Sequence, residues 1–472
     1  MDRFLDELAT TIAAGDVLNA EIETSALLGL LSELDHSVAE MAQLTAAIVG
    51  VAGNELDGPE GAAYLRFLMS LGPRAVKRAA SDALAEFTAD GVYPPEWVTS
   101  IGRPVPEQSF RLHDVAGDRE VIVVTYRYED TEHALLVAID LAELPLAGMI
   151  VVSENADGMI KTLRDNAEPW ERFEQITVTE ARRRIEPALA RADQEPGFGH
   201  GDPSALFLPL AKSRLRRLPS DDSAPAVVYT DADRAAAVDE FLRSADGADA
   251  GDPEAARFWA QALTGYSSRL PGEPPAQVGP TRLTALLLAH VPNTFTLSAG
   301  LRDGLRPAVT AWVRWAAAHQ GLDQAATEHL TERVPVILSE FQAAYDDPDR
   351  VAARGYVRDL ATADADVAWL EDQRARREFA VPFPDERDVD SADVDAADPD
   401  GRAAVTVAEF AYCGPEGAEG QKFVAAAKRV VEEIWNDDPA QTWQEAKRLA
   451  AKGLDRHDVI HALAGDDHGK RA

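Results

Sequence analysis

The 472-residue sequence contains one cysteine, Cys413, and few basic residues beside its many acidic ones. A single cysteine cannot form an intrachain disulfide, which excludes a disulfide-stapled secreted fold and fits a reducing compartment. It also leaves no CxxC pair for zinc. Stability must therefore come from a hydrophobic core, for which a hydrophobic content of 46% provides the material.

Long apolar runs are missing as well. The longest, such as 285–291, are far shorter than the roughly 20 residues that cross a bilayer. The first residues lack the basic segment and the continuous apolar segment of a signal peptide. We therefore expect a protein that does not span a membrane and that resides in the cytoplasm.

Positive charge is scarce: 46 basic residues stand against 81 acidic ones, and the formal net charge is −35. A charge of this sign repels phosphates and anionic lipid headgroups, with a range that is limited only by salt screening. This excludes a general role in binding nucleic acid or a membrane surface. The partner that we expect is another protein.

Hydrophobic periodicity predicts an α+β fold that is predominantly helical. Apolar residues recur every three or four positions over 1–92, which indicates an N-terminal helical domain. Over 93–220 the pattern changes to strand-like runs at 121–128, 133–140 and 148–154, which predict a small antiparallel β-meander in an α+β domain. The first two runs are apolar at successive positions, so we expect helices to cover both faces of the sheet.

The second half of the chain is predicted to be helical. Apolar stripes separated by proline-containing breakers run through 221–380 and indicate a helical domain. Residues 385–400 hold eight acidic residues and one arginine, so we expect 381–402 to be an acidic linker that charge repulsion keeps extended. Further helical stretches predict a C-terminal helical module over 403–472.

The sharpest motif lies in that module, where His457 and His461 are four residues apart on a predicted helix. This spacing can bring two imidazoles to one zinc ion, with Asp458 between them as general base, as in the HExxH pattern. Aspartate replaces the usual glutamate here. The alternative is structural: both histidines flank the apolar stripe 459–463 and pack against the preceding helix. A divalent metal is the only cofactor that the sequence suggests.

A second group of acid–base residues is predicted around the sheet. His113, Asp114, His133 and Asp140 fall at strand ends or in connecting turns, and they are our catalytic candidates. Imidazoles and carboxylates that converge there can bind a cation or act as acid and base. The alternative is ordinary turn chemistry, since Asp114 lies close to a glycine and Asp140 ends an apolar strand.

Part of the chain resembles a family of uncharacterised proteins of high-GC Gram-positive bacteria. The resemblance rests on 114–118, on the strands 121–128 and 132–140, and on 286–321 with its Trp-Val-Arg-Trp sequence. It covers about 90–380. It implies a His-Asn pair after the strand-end aspartate, whereas Leu and Ala follow here, and it implies no activity.

The stretch from Trp443 to His461, which contains the sequence Gly-Leu-Asp-Arg-His, is similar to a short module that is attached to assorted bacterial proteins. This resemblance also implies no activity. It supports only the separation of 403–472 as a module.

Our leading functional hypothesis is an interaction or adaptor protein, because no complete catalytic motif is visible. The alternative is a metal-dependent hydrolase that uses either the His457/His461 pair or the His133/Asp140 group. A second alternative is an acidic mimic of nucleic acid, which requires carboxylates concentrated on one folded face. Whether the protein is an enzyme stays open at this point.

Overall fold

The structure is a computed structural model, and it describes residues 2–32, 38–56, 58–128, 131–142, 145–192, 204–220, 228–268, 272–382, 395–410, 418–452 and 454–469. The chain divides into two compact units, 1–225 and 226–472. The first unit has 38 acidic and 20 basic residues, and the second has 43 and 26. The acidity is therefore shared by both units.

The first unit opens with helices and continues into a sheet that further helices cover. The helices are α1 (Asp2–Ala13), α2 (Val17–Ser32), α3 (Val38–Asn54), α4 (Gly58–Leu71), α5 (Arg74–Ala89), α6 (Ala156–Asp165), α7 (Val178–Ala192) and α8 (Ser204–Leu215), with a 3₁₀ turn at Glu96–Ser100. The strands are β1 (Val105–Asp114), β2 (Arg119–Tyr128), β3 (Thr131–Asp140), β4 (Leu146–Ser153) and β5 (Glu171–Ile176).

The strands form one antiparallel sheet in the order β4-β3-β2-β1-β5. The predicted fold class, predominantly helical with one small antiparallel sheet, is confirmed. The three predicted strands correspond to β2, β3 and β4. The prediction missed β1 and β5, because both carry charged or polar residues at most positions and so lack an apolar run.

Helices cover both faces of the sheet, as the two-sided apolar strands predict. On one face Ile122 and Leu135 pack against Ile185 of α7, and α8 joins the same core. On the other face Val123 packs in a smaller core with Ile160 of α6. Burial on both faces explains why β2 and β3 read as nearly continuous apolar runs.

Close packing between α2 and α8 fixes the polar centre of this unit. A Cβ atom on Gly29 would lie 2.4 Å from the Ala205 carbonyl oxygen, so only glycine allows this approach. The Ser25 hydroxyl donates to the Leu206 carbonyl at 2.7 Å and accepts from the Leu210 amide at 3.1 Å. It thus bridges a helical turn of α8 from the side.

The second unit is helical throughout its described parts. Its helices are α9 (Asp231–Arg243), α10 (Ala245–Ala248), α11 (Pro253–Ser267), α12 (Pro280–Ala285), α13 (Val291–Thr294), α14 (Ala299–Asp303), α15 (Leu305–Gln320), α16 (Gln324–Tyr345), α17 (Pro348–Gly355), α18 (Val367–Ala380), α19 (Pro399–Phe410), α20 (Ala418–Asn436), α21 (Ala440–Ala450) and α22 (Arg456–Gly469). A π-helical turn at Leu286–His290 joins α12 to α13.

Two hydrophobic cores organise this unit. The larger contains Trp259 and Trp312 and extends from α9 to Val367 at the start of α18. The other combines Tyr356 and Val381 with the C-terminal helices α19 to α22. Of the predicted linker, 383–394 lie outside the described residues, and 399–402 form the first turn of α19. The division into five parts remains a prediction.

In the described ranges, every helix falls short of either the length or the apolar character that crossing a bilayer requires.

Candidate functional site

A buried charge cluster, defined here as Glu21, Tyr126, Tyr128, His133 and Arg214, lies between α2, α8 and the sheet. Arg214 donates from Nη2 to Glu21 Oε2 at 2.5 Å and from Nε to His133 Nε2 at 2.9 Å. The Tyr128 hydroxyl donates to the Glu21 carboxylate at 2.9 Å. These contacts join residues that are far apart in the sequence into one polar network.

The secondary structure explains why these side chains meet. Glu21, Ser25 and Gly29 lie on one face of α2 at intervals of four, which is the side that contacts α8. His133 of β3 pairs directly with Tyr126 of β2, so both side chains point to the face that α8 covers. The polar network therefore forms because α2 and α8 contact each other and because the register of β2 with β3 points Tyr126 and His133 toward α8.

His133 is held in its neutral form. Burial, together with the neighbouring Arg214 guanidinium, lowers the pKa of His133 to about 2. Its Nε2 atom accepts a hydrogen bond from Arg214, and its ring lies 5.5 Å and 5.7 Å from the rings of Tyr126 and Tyr128. None of the surface of His133 is exposed to solvent. In this conformation the side chain stabilises the fold and does not reach a substrate in solution.

The four catalytic candidates predicted at strand ends are not all brought together. Asp140 pairs with Arg119 beside the turn that follows Asp114, and His113 precedes that turn, so these three candidates share one end of the sheet. His133 lies seven residues earlier in β3 than Asp140, or about 23 Å along the strand. Only three of the four are therefore neighbours.

Each of these three also has a local structural contact. Asp114 accepts from the backbone amides of Asp118 at 3.2 Å and Arg119 at 2.6 Å, which closes the β1–β2 turn. Asp140 accepts from the Ala142 amide at 2.7 Å. Such bonds are the turn chemistry that aspartate side chains commonly provide.

His113 contacts a different set of groups on β1. Its Nε2 atom lies 3.5 Å from Glu174 of β5, and its Nδ1 atom lies 3.0 Å from the Asp114 carbonyl oxygen. Burial, and next the positive charge of Arg111, lower the pKa of His113. The neutral ring is therefore favoured near neutral pH.

The C-terminal histidine pair lies on α22, as the spacing predicts. The two ring centroids are 6.5 Å apart. His457 stacks on Phe410 of α19 at 4.7 Å, and His461 contacts the ring of Phe423 of α20 at 4.6 Å. Glu409 lies 3.4 Å from His457 Nδ1. The ring contacts are thus made with α19 and α20, in addition to the packing of α22 on α21.

Among the residues whose placement is described, no group of three or more histidine, cysteine, aspartate or glutamate side chains is arranged to hold a metal ion. The prediction of a divalent metal at His457 and His461 therefore rests only on two imidazoles that lie on one helix face. It stays a prediction.

An exposed tryptophan is the surface feature that the sequence analysis missed. Trp369 lies in the first turn of α18 with 45% of its surface exposed, while its neighbours Val367 and Leu370 are buried. The segment 362–372 carries exposed carboxylates and no basic residue; they are Asp364, Asp366, Glu371 and Asp372. Trp369 lies four residues before Gln373 and seven before Arg376, which are both buried, so the periodicity of the helix carries no signal of its exposure.

Comparisons of the chain with family models, with curated proteins and with solved structures gave no match.

Proposed function

We propose that this chain is a cytoplasmic interaction protein that binds a basic segment of a protein partner through the Trp369 face, defined as Trp369 with the exposed carboxylates of 362–372. The exposure of Trp369 is the observation that carries the proposal. Tryptophan is usually well buried, and it is among the residues that contribute most to binding at protein interfaces.

The charge around Trp369 defines the chemistry of the partner. The exposed Asp366 and Asp372 are each three residues from it, and the exposed Asp364 is five residues from it. The segment 362–372 contains no lysine or arginine. An indole ring also attracts arginine and lysine through cation–π contact. Carboxylates beside an indole therefore favour an arginine- or lysine-rich peptide and disfavour nucleic acid.

The backbone of this face is fixed before binding. The Asp366 side chain caps α18 by accepting from the Trp369 amide at 2.8 Å. Seven residues further along α18, Arg376 donates to the Trp435 carbonyl oxygen at 2.6 Å. Because the helix is held at both ends, little ordering of the chain opposes binding at its exposed face.

A labelled peptide of alternating arginine and alanine tests this proposal by fluorescence anisotropy at low salt. The full chain should bind this peptide, and Trp369→Ala should weaken the affinity by about tenfold or more, as loss of a central tryptophan does at other interfaces. Added salt should weaken binding further, because the carboxylate contacts are exposed.

Val336→Ala is the matched control, since Val336 is also an exposed apolar residue, with 43% of its surface accessible, and lies on α16. It should leave the affinity unchanged. A peptide of alternating glutamate and alanine should not bind. The proposal fails if the arginine peptide does not bind, or if the Trp369 and Val336 variants bind it equally well.

A further inference from the structure

A polar cleft lies between α9 and α11 in the second unit. Its volume is about 340 Å³, within the range of small-molecule sites. Two arginines, three aspartates, one amide and one hydroxyl share the lining with apolar groups. These polar residues are Asp231, Arg234, Asp239, Arg257, Gln261, Thr264 and Asp364.

The hydroxyl of Thr264 is the strongest sign that this cleft receives a ligand. Only 1% of the residue surface is exposed, and the hydroxyl oxygen has no hydrogen-bond partner in the protein. Three helical threonines of the same unit, Thr284, Thr331 and Thr406, donate to the carbonyl one turn back, as Thr284 does to Pro280 at 2.8 Å. Buried hydroxyls without partners are uncommon because desolvation is costly. Because Thr264 lines the cleft, a small rotation of its side chain would present an unused donor and acceptor to a molecule there.

Charges of both signs lie at each end of the cleft. Arg257 Nη1 lies 3.2 Å from Asp239, which places the first half of α11 beside the second half of α9. Arg234 pairs with Asp231 at the other end, beside Thr264 and Gly265. Asp231 and Asp239 are eight residues apart, so the two ends are separated by about 12 Å.

These ion pairs can exchange partners at small cost. The Asp231 side chain is 95% exposed, and both members of the Arg257–Asp239 pair are more than half exposed. Exposed pairs contribute little to stability. A ligand carboxylate can replace aspartate on Arg234, since a guanidinium has five donors and binds carboxylates in a bidentate manner. Asp364 on the same lining can accept from a ligand ammonium group.

We propose that this cleft binds a free α-amino acid. The ligand carboxylate lies on Arg234, its ammonium group lies between Asp231 and Asp364, and the Thr264 hydroxyl bonds to this head group. The side chain extends past Gln261 toward the Arg257–Asp239 pair, so residues with a polar end group are favoured. This site shares Asp364 with the Trp369 face, but its other groups lie on α9 and α11, so the proposal does not depend on peptide binding at that face.

Thermal unfolding of the full chain with each standard L-amino acid tests the proposal, followed by calorimetric titration of any amino acid that raises Tm. A ligand that binds only the native state raises Tm in proportion to the logarithm of its concentration above Kd. For the amino acid that binds, the N-acetyl derivative and the carboxamide derivative should both lose the Tm shift, since each lacks one charge of the head group.

Thr264→Val removes the hydroxyl and keeps the shape of the side chain. Because the hydroxyl has no partner, this variant should fold with an unchanged or higher Tm, yet bind the amino acid about three- to tenfold more weakly. Arg234→Gln should weaken binding by about 10- to 100-fold. Thr284→Val, whose hydroxyl bonds within its own helix, is the matched control and should keep full affinity.

The proposal is overturned if no standard amino acid binds or raises Tm. It is also overturned if the N-acetyl and carboxamide derivatives bind as well as the free amino acid. Equal affinity of the wild type, the Thr264 variant and the Arg234 variant would place any binding elsewhere and would likewise overturn it.

Discussion

Arg214 in the first unit and Arg402 in the second are both almost wholly buried, yet they are neutralised in different ways. Arg214 pairs with Glu21, whose side chain is entirely buried. Arg402 forms a bidentate pair with Glu432, whose side chain is 37% exposed, and its Nη1 donates to the Ala396 carbonyl at 3.0 Å. The exposure of the acidic partner therefore distinguishes two arginines that are equally buried.

This difference predicts that the exposure of the acidic partner sets the free-energy cost of breaking a buried ion pair. When the arginine is lost, a buried carboxylate stays desolvated, whereas a half-exposed carboxylate can turn to water. The remaining contacts are similar in kind: Arg402 lies 4.5 Å from the ring of Trp435, and Arg214 lies 5.3 Å from that of Tyr128. Substitutions in the two units can separate these effects.

The largest effect is expected for Arg214→Met, which leaves the Glu21 carboxylate buried without a cation. We expect a loss of about 3–5 kcal/mol in the free energy of unfolding, measured by urea titration with circular dichroism on the full chain. Arg217→Met, at an exposed position one turn away, is the control and should cost less than about 0.5 kcal/mol. A loss below about 1 kcal/mol for Arg214→Met would contradict the assigned role of burial.

A smaller effect is expected for Arg402→Met, because the Glu432 carboxylate regains water when its partner is removed. The expected loss is about 1.5–3 kcal/mol, which reflects hydrogen bonds to a charged group and to two carbonyls. The same urea titration measures it. If Arg402→Met lowers the free energy of unfolding as much as Arg214→Met does, the exposure of the acidic partner does not determine the size of the loss.

The pH dependence distinguishes the two units further, since a buried neutral histidine contacts Arg214. The pKa of His133 is lowered in the folded state, so the unfolded chain binds the extra proton, and stability is lost as pH falls below about 6.5. Between pH 7 and pH 5.5 the loss should be about 1 kcal/mol.

His133→Gln should abolish this part of the pH dependence, whatever its effect on stability at pH 7. His319→Gln is the control, because its side chain is 44% exposed on α15. Urea titrations at the two pH values provide the measurement. An unchanged pH slope in the His133 variant would show that another group is responsible.

The smallest effect is expected where neither partner is deeply buried. Arg429 pairs with Glu433 one turn along α20 at 3.5 Å, and 46% of its side chain is exposed. Arg429→Met should change the free energy of unfolding by less than about 0.5 kcal/mol, and added salt should reduce the difference further. If Arg429→Met lost as much free energy of unfolding as Arg402→Met, ion pairing without burial would account for the size of both losses.

The sequence predicts those helices and strands whose apolar residues recur in a local pattern. The runs that became β2 and β3 were recognisable because burial on both faces requires apolar residues at successive positions, as Ile122 and Val123 illustrate. The edge strand β5, with Arg172 and Glu174 among its residues, pairs with β1 through backbone hydrogen bonds that leave no apolar signature. Its position depends on tertiary contacts that a local window does not contain.

The polar centre could not be predicted for the same reason. Residue type and position in the strand make His133 a catalytic candidate, but its neutral form and its burial depend on Arg214, 81 residues away. Glu21 is one of many acidic residues in the N-terminal helical stretch, and its local sequence does not mark it as buried. The small residues Ser25 and Gly29 on the same face as Glu21 were a usable signal, since they mark a close helix contact.

Glu21 and Arg214 are separated by 193 residues, nearly the full length of the first unit. At typical synthesis rates of about 5–20 residues per second, the carboxylate precedes its cation by roughly 10–40 s. During that interval α2 and the sheet can assemble without the residue that neutralises their interior. Co-translational folding of the first unit should therefore finish only when α8 leaves the ribosome, and a nascent chain that stops before α8 is the form most open to chaperones and proteases.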